Sequence, residues 1–211
     1  MKIKAFLLIG LLCSASVSGQ QADSILTYRV ELGGTAGGGT YAPLWFTANR
    51  YGISSVEPNS GYLRAGITYD RQLKRNWRIE AGFDLAGGIN HESDVQLHQM
   101  YADFSWKMLT LSVGSKERPG FPLDKHAALS SGMLVEGMNT QPIPQIRGEI
   151  KNYLNIPGTK GWLAFKGHIA YGALAENNWQ KNHVNPGQYF VKDVLYHSKS
   201  LMFRLGKKER F

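Results

Sequence analysis

The sequence predicts an all-β protein, an antiparallel transmembrane β-barrel of the outer-membrane type. Three observations carry this: an export signal at the N-terminus, strict apolar/polar alternation along successive segments, and connections that alternate between short and long. About 8–10 strands fall within the chain, the number a small or partial barrel would use.

Lys2 and Lys4 precede the apolar run Ala5 to Leu12, and small residues follow as far as Gly19. That is the layout of a secretory signal peptide, residues 1–19, with the mature domain expected over residues 20–211. The apolar run is shorter than the roughly 20 residues that a membrane helix requires. The single cysteine, Cys13, lies within it, and Leu12 stands where lipidation needs a small residue. A mature chain without cysteine forms no disulfide and offers neither a thiolate ligand nor a thiol nucleophile. Beyond the signal no apolar run is long enough for a helical span, so a membrane form of this chain must satisfy its backbone in a barrel.

The clearest alternation covers residues 63–70, where Leu63, Ala65, Ile67 and Tyr69 oppose Arg64, Gly66, Thr68 and Asp70. Residues 77–86 repeat it, with Trp77, Ile79, Ala81, Phe83 and Leu85 against Arg78, Glu80, Gly82, Asp84 and Ala86. Together they read as a hairpin. Further strands are expected over residues 97–105, 109–115, 143–150, 162–173, 189–196 and 201–206, with shorter candidates at 26–32 and 44–50. A soluble sandwich also alternates. The polar faces here mix Arg, Glu and Asp with Gly, which suits a barrel lumen, and Trp77, Tyr101, Trp106, Trp162, Tyr171 and Tyr189 fall near segment ends, which suits an interfacial girdle.

Connection length gives a separate argument. Residues 71–76, 107–108 and 197–200 make short links and 151–161 a moderate one; residues 87–95, 116–142 and 174–188 make longer ones. Short periplasmic turns alternating with longer outer loops are a barrel property that a sandwich has no reason to copy.

The net charge of +8 falls by two with the signal peptide, and the remaining basic residues are spread along the chain. No nucleic-acid recognition motif accompanies them, so anionic polysaccharide, outer-membrane lipid and lipopolysaccharide are the expected partners. The glycine-rich stretch Gly33 to Thr40 leads into Tyr41-Ala42-Pro43-Leu44-Trp45 without the Gly-Lys-Ser/Thr of a phosphate loop, and reads as a bend at a strand end. The histidines His91, His98, His126, His168, His183 and His197 have no zinc-site spacing. Glu80 and Asp84 share a strand face, but Arg78 beside Glu80 points to an interior salt network rather than to a glycosidase pair. No serine sits in a Gly-x-Ser-x-Gly elbow. The reading is therefore non-enzymatic, with no catalytic residue, metal or cofactor.

The long segment 116–142, with Arg118, several Gly and Pro residues and Asn139, has a length typical of functional loops. With Asn177 and Trp179 in the next long connection, it supplies aromatic and polar groups that could stack on and hydrogen-bond a sugar chain. Arg118, Asn139 and Arg147 are the candidate polysaccharide-binding residues, since cationic and amide groups suit acidic sugars. The alternative is a passive porin or transport channel, its lumen lined by Arg64, Arg78, Glu80 and Asp84.

Four segments, Pro43-Leu44-Trp45-Phe46-Thr47-Ala48-Asn49-Arg50-Tyr51-Gly52, Leu129-Ser130-Ser131-Gly132, Pro142-Ile143-Pro144-Gln145-Ile146 and Leu195-Tyr196-His197-Ser198-Lys199-Ser200-Leu201, together resemble the capsule assembly Wzi family, particularly its Bacteroidetes members. The resemblance covers nearly the whole mature chain. It implies an outer-membrane barrel acting as a surface lectin that attaches or organises capsular polysaccharide. Family members are about twice this length, so the chain corresponds to an N-terminal half and its barrel is expected to be incomplete. The family's stretch before Pro-x-Pro carries Ser-x-Asn-Ala, of which Met138-Asn139-Thr140-Gln141 keeps only Asn139. The charged run before Phe211 also departs from the apolar, aromatic-terminated last strand usual in closed outer-membrane barrels.

Overall fold

The structure is a computed structural model that describes residues 25–73, 75–91, 93–118, 137–175, 181 and 184–206. Eight strands form one antiparallel sheet in which each strand neighbours the next in sequence. They are β1 (Leu26–Thr35), β2 (Ser60–Gln72), β3 (Trp77–Ile89), β4 (Val95–Trp106), β5 (Leu109–Ser115), β6 (Gln145–Asn155), β7 (Leu163–Ala173) and β8 (Leu195–Leu205). β1 and β8 are the edges of that order. A helical element one turn long, α1 (Leu44–Thr47), lies between β1 and β2. No helix among the described residues is long and apolar enough to cross a membrane, which says nothing of strands.

The paired segments 63–70 and 77–86 are strands in a tight hairpin, as the alternation predicts, and both extend beyond those limits. Residues 44–50 are not a strand. Pro43 at φ −58 starts the helical turn, Phe46 N–H donates to the Pro43 carbonyl at 2.9 Å, and the Thr47 hydroxyl closes on the Leu44 carbonyl at 3.0 Å. Proline's fixed φ and missing N–H suit the start of a helix better than a paired strand, so Leu-Trp-Phe-Thr folds against its β propensity.

β6 begins at Gln145, after Pro142 and Pro144, which cannot donate to a ladder. It then continues past an irregularity between Ile150 and Leu154 to Asn155, which shortens the link to β7 to residues 156–162. The expected strands 189–196 and 201–206 are replaced by one strand. His197-Ser198-Lys199-Ser200 reads as a polar turn, yet every residue from Leu195 to Leu205 pairs with β7. The ladder fixes the alternation, and the polar residues ride on it.

In a meander of this order every odd-to-even connection leaves one end of the strands and every even-to-odd connection the other. The connections β1–β2, β3–β4, β5–β6 and β7–β8 leave the first end; β2–β3, β4–β5 and β6–β7 leave the second. Apart from 90–94, long links are thus segregated from short ones. At the short end Arg75, Asn76, Lys107 and Lys160 adopt positive φ, the backbone that tight hairpin turns demand.

The chain gathers into two compact units. The first comprises the described residues of Met1–Thr68, Gly82–Met100 and Lys116–Pro142; the second comprises Tyr69–Ala81, Tyr101–Ser115 and the described residues of Ile143–Phe211. Both show the same inversion of ordinary burial. In the first, Arg64 is 3% exposed while its neighbour Leu63 is 53% exposed; in the second, Arg147 is 2% and Ile146 59% exposed. Asp84, Asp103, Glu149 and Lys166 are buried too, while Phe83, Phe104, Leu111 and Phe203 are exposed. A soluble sheet buries its apolar face. This one turns its charges inward.

Candidate functional site

The interior of the first unit is organised around Arg64, which β2 presents inward. Its Nε and Nη2 both donate to the Asp84 carboxylate of β3, the Nε contact at 3.2 Å. Nη1 lies 2.9 Å from Glu117 and 3.7 Å from Glu31 of β1. Tyr62 donates its hydroxyl to Glu31 at 2.7 Å, and Gln99 of β4 donates to Asp84 at 2.6 Å. One guanidinium thus joins three carboxylates from separate segments. Pairing of this quality is what makes a buried charge tolerable, since an uncompensated one costs several kcal/mol, on the order of 3–5.

Gly66 leaves room for this arrangement: a Cβ there would lie 1.4 Å from Asp84 Oδ1. β4 contributes two consecutive inward residues, His98 and Gln99, at a point where the burial alternation slips by one. Before that point Val95 and Leu97 are exposed; after it Met100, Phe104 and Trp106 are. A parity slip of this kind re-aims side chains as a bulge does. It lets both residues reach Glu117: His98 Nε2 lies 2.7 Å from its carboxylate, and the Gln99 amide oxygen accepts its backbone N–H at 2.8 Å. The start of the 116–144 connection is therefore anchored on the inward face. Burial works against the Glu117 carboxylate, but the hydrogen bond from His98 and the charge of Arg64 outweigh it and hold its pKa below the ordinary value.

Above the cluster, two connections meet. Tyr51 N–H donates to the Met138 carbonyl at 2.7 Å, and Asn49 N–H donates to Asn139 Oδ1 at 2.7 Å. Ile53 and Met138 supply a small apolar core for this lobe. Asn49 and Tyr51 adopt φ near 59° and 52°, strained for residues with side chains, and the bonds from 138 and 139 hold them there. The lobe exposes Tyr41, Leu44 and Trp45. Exposed aromatic faces of this kind can stack on a sugar.

The sequence candidates are placed differently from one another. Asn139 and Arg118 belong to the first unit; Asn139 positions the lobe, while Arg118 donates to the Lys116 carbonyl at 3.2 Å. Arg147 belongs to the second unit, buried on the inward face of β6 with Glu149 at 2.8 Å. Asn177, Trp179, His126 and His183 lie outside the described residues. Trp45 escaped the sequence reading because residues 44–50 looked like a strand, and Tyr41 because it was read only as the residue after the glycine-rich bend. Glu117 escaped it because nothing local marks a loop residue as inward-anchored.

In the second unit the inward polar groups form several smaller pairs. Lys151 lies 3.5 Å from Glu149 and 3.7 Å from Asp103, His168 Nε2 lies 2.8 Å from the Ser198 hydroxyl, and Ser105 bonds Thr110 at 2.9 Å. Arg78 pairs with Asp70 and Glu80, and Tyr101 donates to Glu80 at 2.7 Å, so the polar face near Arg78 is a salt network. Trp77 stacks on Phe104 with ring centroids 4.7 Å apart and lies 5.9 Å from Trp106, an aromatic cluster at the short-turn end. No group of His, Cys, Asp and Glu among the described residues could hold a metal. Comparison with protein-family models, curated proteins and solved structures returns no match to this chain.

Proposed function

We propose that this chain forms part or all of an outer-membrane β-barrel that binds or organises capsular polysaccharide at the cell surface without catalysing a reaction. The inversion of burial carries the membrane half of the reading. Apolar faces turned outward on strands such as β2, β3, β6, β7 and β8, each of 11 to 13 residues, suit a hydrocarbon layer, which tilted strands cross in roughly 9–11 residues. Trp77, Trp106 and Trp162 near the short-turn end fit an interfacial belt. The N-terminal signal and the segregation of long connections support export and an outward-facing loop end.

The polysaccharide half rests on the lobe built from residues 41–56 and 137–141, with Tyr41 and Trp45 exposed, Arg118 in the same unit and Asn139 holding the lobe in shape. Residues 43–52 of this lobe are also among the segments that resemble the Wzi family. Protein inserted into lipid should bind the capsule of its own strain and lose that binding on Trp45→Ala. Inserted wild-type protein without capsule affinity contradicts the proposal. The inward polar faces favour a second reading, a passive channel, for which planar-bilayer conductance blocked by small sugars is the test.

A further inference from the structure

The outward face of the second unit carries an open apolar trough of about 630 Å3, formed where β6, β7 and β8 lie side by side. Gly148 and Gly167 thin its floor, and Ile150, Phe165, Ile169 and Leu201 form its walls. The register sets its polarity. Phe165 pairs with Phe203 and Gly167 with Leu201 toward the short-turn end; Ile169 pairs with Lys199 and Tyr171 with His197 toward the long-connection end. Along the outward residues of β8, apolar Leu205, Phe203 and Leu201 give way to cationic Lys199 and then to His197, whose ring stacks on Tyr171 at 4.2 Å.

Lys199 is exposed, and no carboxylate among the described residues pairs with it. An unpaired ammonium on an otherwise apolar face is poorly placed unless an anion meets it. The trough lies on the face of the sheet, so a strand added along the edge of β8 would leave it open.

Resting on the membrane-spanning reading, we propose that this trough is a binding site for a membrane lipid whose phosphate headgroup carries a net negative charge. Its acyl chain lies over Gly148 and Gly167, and its phosphate meets Lys199 beside the Tyr171–His197 stack. The charge gradient along β8 matches the layout of such an amphiphile: anionic head toward the long connections, hydrocarbon tail toward the short turns. The proposal assigns Lys199 the headgroup and Gly148 the chain, and the two are separable. A Cβ added at Gly148 meets only Ile169 Cγ2, at 4.0 Å, so Gly148→Leu fills the trough without striking backbone.

The test is native mass spectrometry of the full chain refolded in detergent, with equal amounts of dimyristoyl phosphatidylglycerol and phosphatidylcholine as probes. Heat-modifiable gel mobility is run on the same samples to establish the folded barrel. The expected result is retention of phosphatidylglycerol over phosphatidylcholine by roughly fivefold, the effect of one lysine near an anionic lipid surface. Lys199→Gln abolishes that preference, Gly148→Leu reduces retention of both lipids, and Arg71→Gln, an exposed cation elsewhere, changes neither. A heat-modifiable wild type with no preference, or one that Lys199→Gln leaves intact, overturns the lipid site while the barrel stands. Loss of heat modifiability in the wild type overturns the membrane reading, and the lipid site with it.

Discussion

The inward faces of the two units solve the same problem differently. In the first, Arg64 gathers Asp84, Glu117 and Glu31 from β3, the 116–144 connection and β1, so a single side chain ties together segments distant in sequence. In the second, Arg147 pairs with Glu149 two residues away on the same strand, and Glu149 has a second cation in Lys151. The first arrangement concentrates the compensation of buried charge on one residue; the second distributes it. The consequence is an uneven response to mutation.

The largest expected effect is that of Arg64→Met. Among the described residues it leaves Asp84 with Gln99 and Glu117 with His98 and the distant Arg29, and should cost about 3–5 kcal/mol, the penalty for a buried charge stripped of its partner. Urea unfolding from lipid or detergent measures it. Gly66→Ala attacks the same cluster by sterics alone, because its methyl occupies the position of the Asp84 carboxylate; a loss of about 1–3 kcal/mol is expected in the same assay. Arg147→Met in the second unit should cost less than Arg64→Met, since Lys151 remains near Glu149. Equal costs for the two would dissolve the distinction between concentrated and distributed pairing.

Acidification probes the cluster of the first unit in another way. Glu117 has its pKa held below the ordinary 4.5, so its contribution to stability is complete above that value and is lost as pH falls through the lower, folded-state pKa. Glu117→Gln should therefore lower stability at neutral pH and flatten the stability profile below about pH 4.5. A variant with the same acid profile as wild type would place the acid sensitivity elsewhere. The smallest effect on stability belongs to Trp45→Ala: an exposed side chain should change unfolding by no more than about 0.5 kcal/mol. Its predicted signature is weakened capsule binding by protein that is otherwise as stable as wild type.

Much of the sheet was legible because alternation is a local property. Residues 63–70 and 77–86 announce their strands through side chains alone, and the two-residue link at 107–108 could hardly be anything but a hairpin turn. Alternation does not say which face turns inward, and the inversion becomes visible only when Arg64 is found buried beside exposed Leu63. The misreadings share a cause, tertiary pairing overriding local chemistry. His197 to Ser200 look like a turn but are held extended by β7, and Leu44 to Thr47 look like a strand but follow Pro43 into a helical turn. Asn139 is found at the lobe that the sugar reading needs, but as the acceptor that shapes it. The cluster around Glu117 was beyond sequence reach, because it depends on a parity slip at His98 and Gln99 that no composition reveals.

The central claim is that apolar residues on these strands face lipid and polar residues face the interior. Single-cysteine variants of the mature chain at adjacent positions of β5 test it most directly: Leu111→Cys on the outward face and Ser112→Cys on the buried one, each carrying an environment-sensitive fluorophore in reconstituted vesicles. Spin-labelled lipid should quench the label at position 111 strongly and the label at position 112 weakly. Equal quenching at both positions, or quenching of the label at 111 only by an aqueous quencher, would contradict the account.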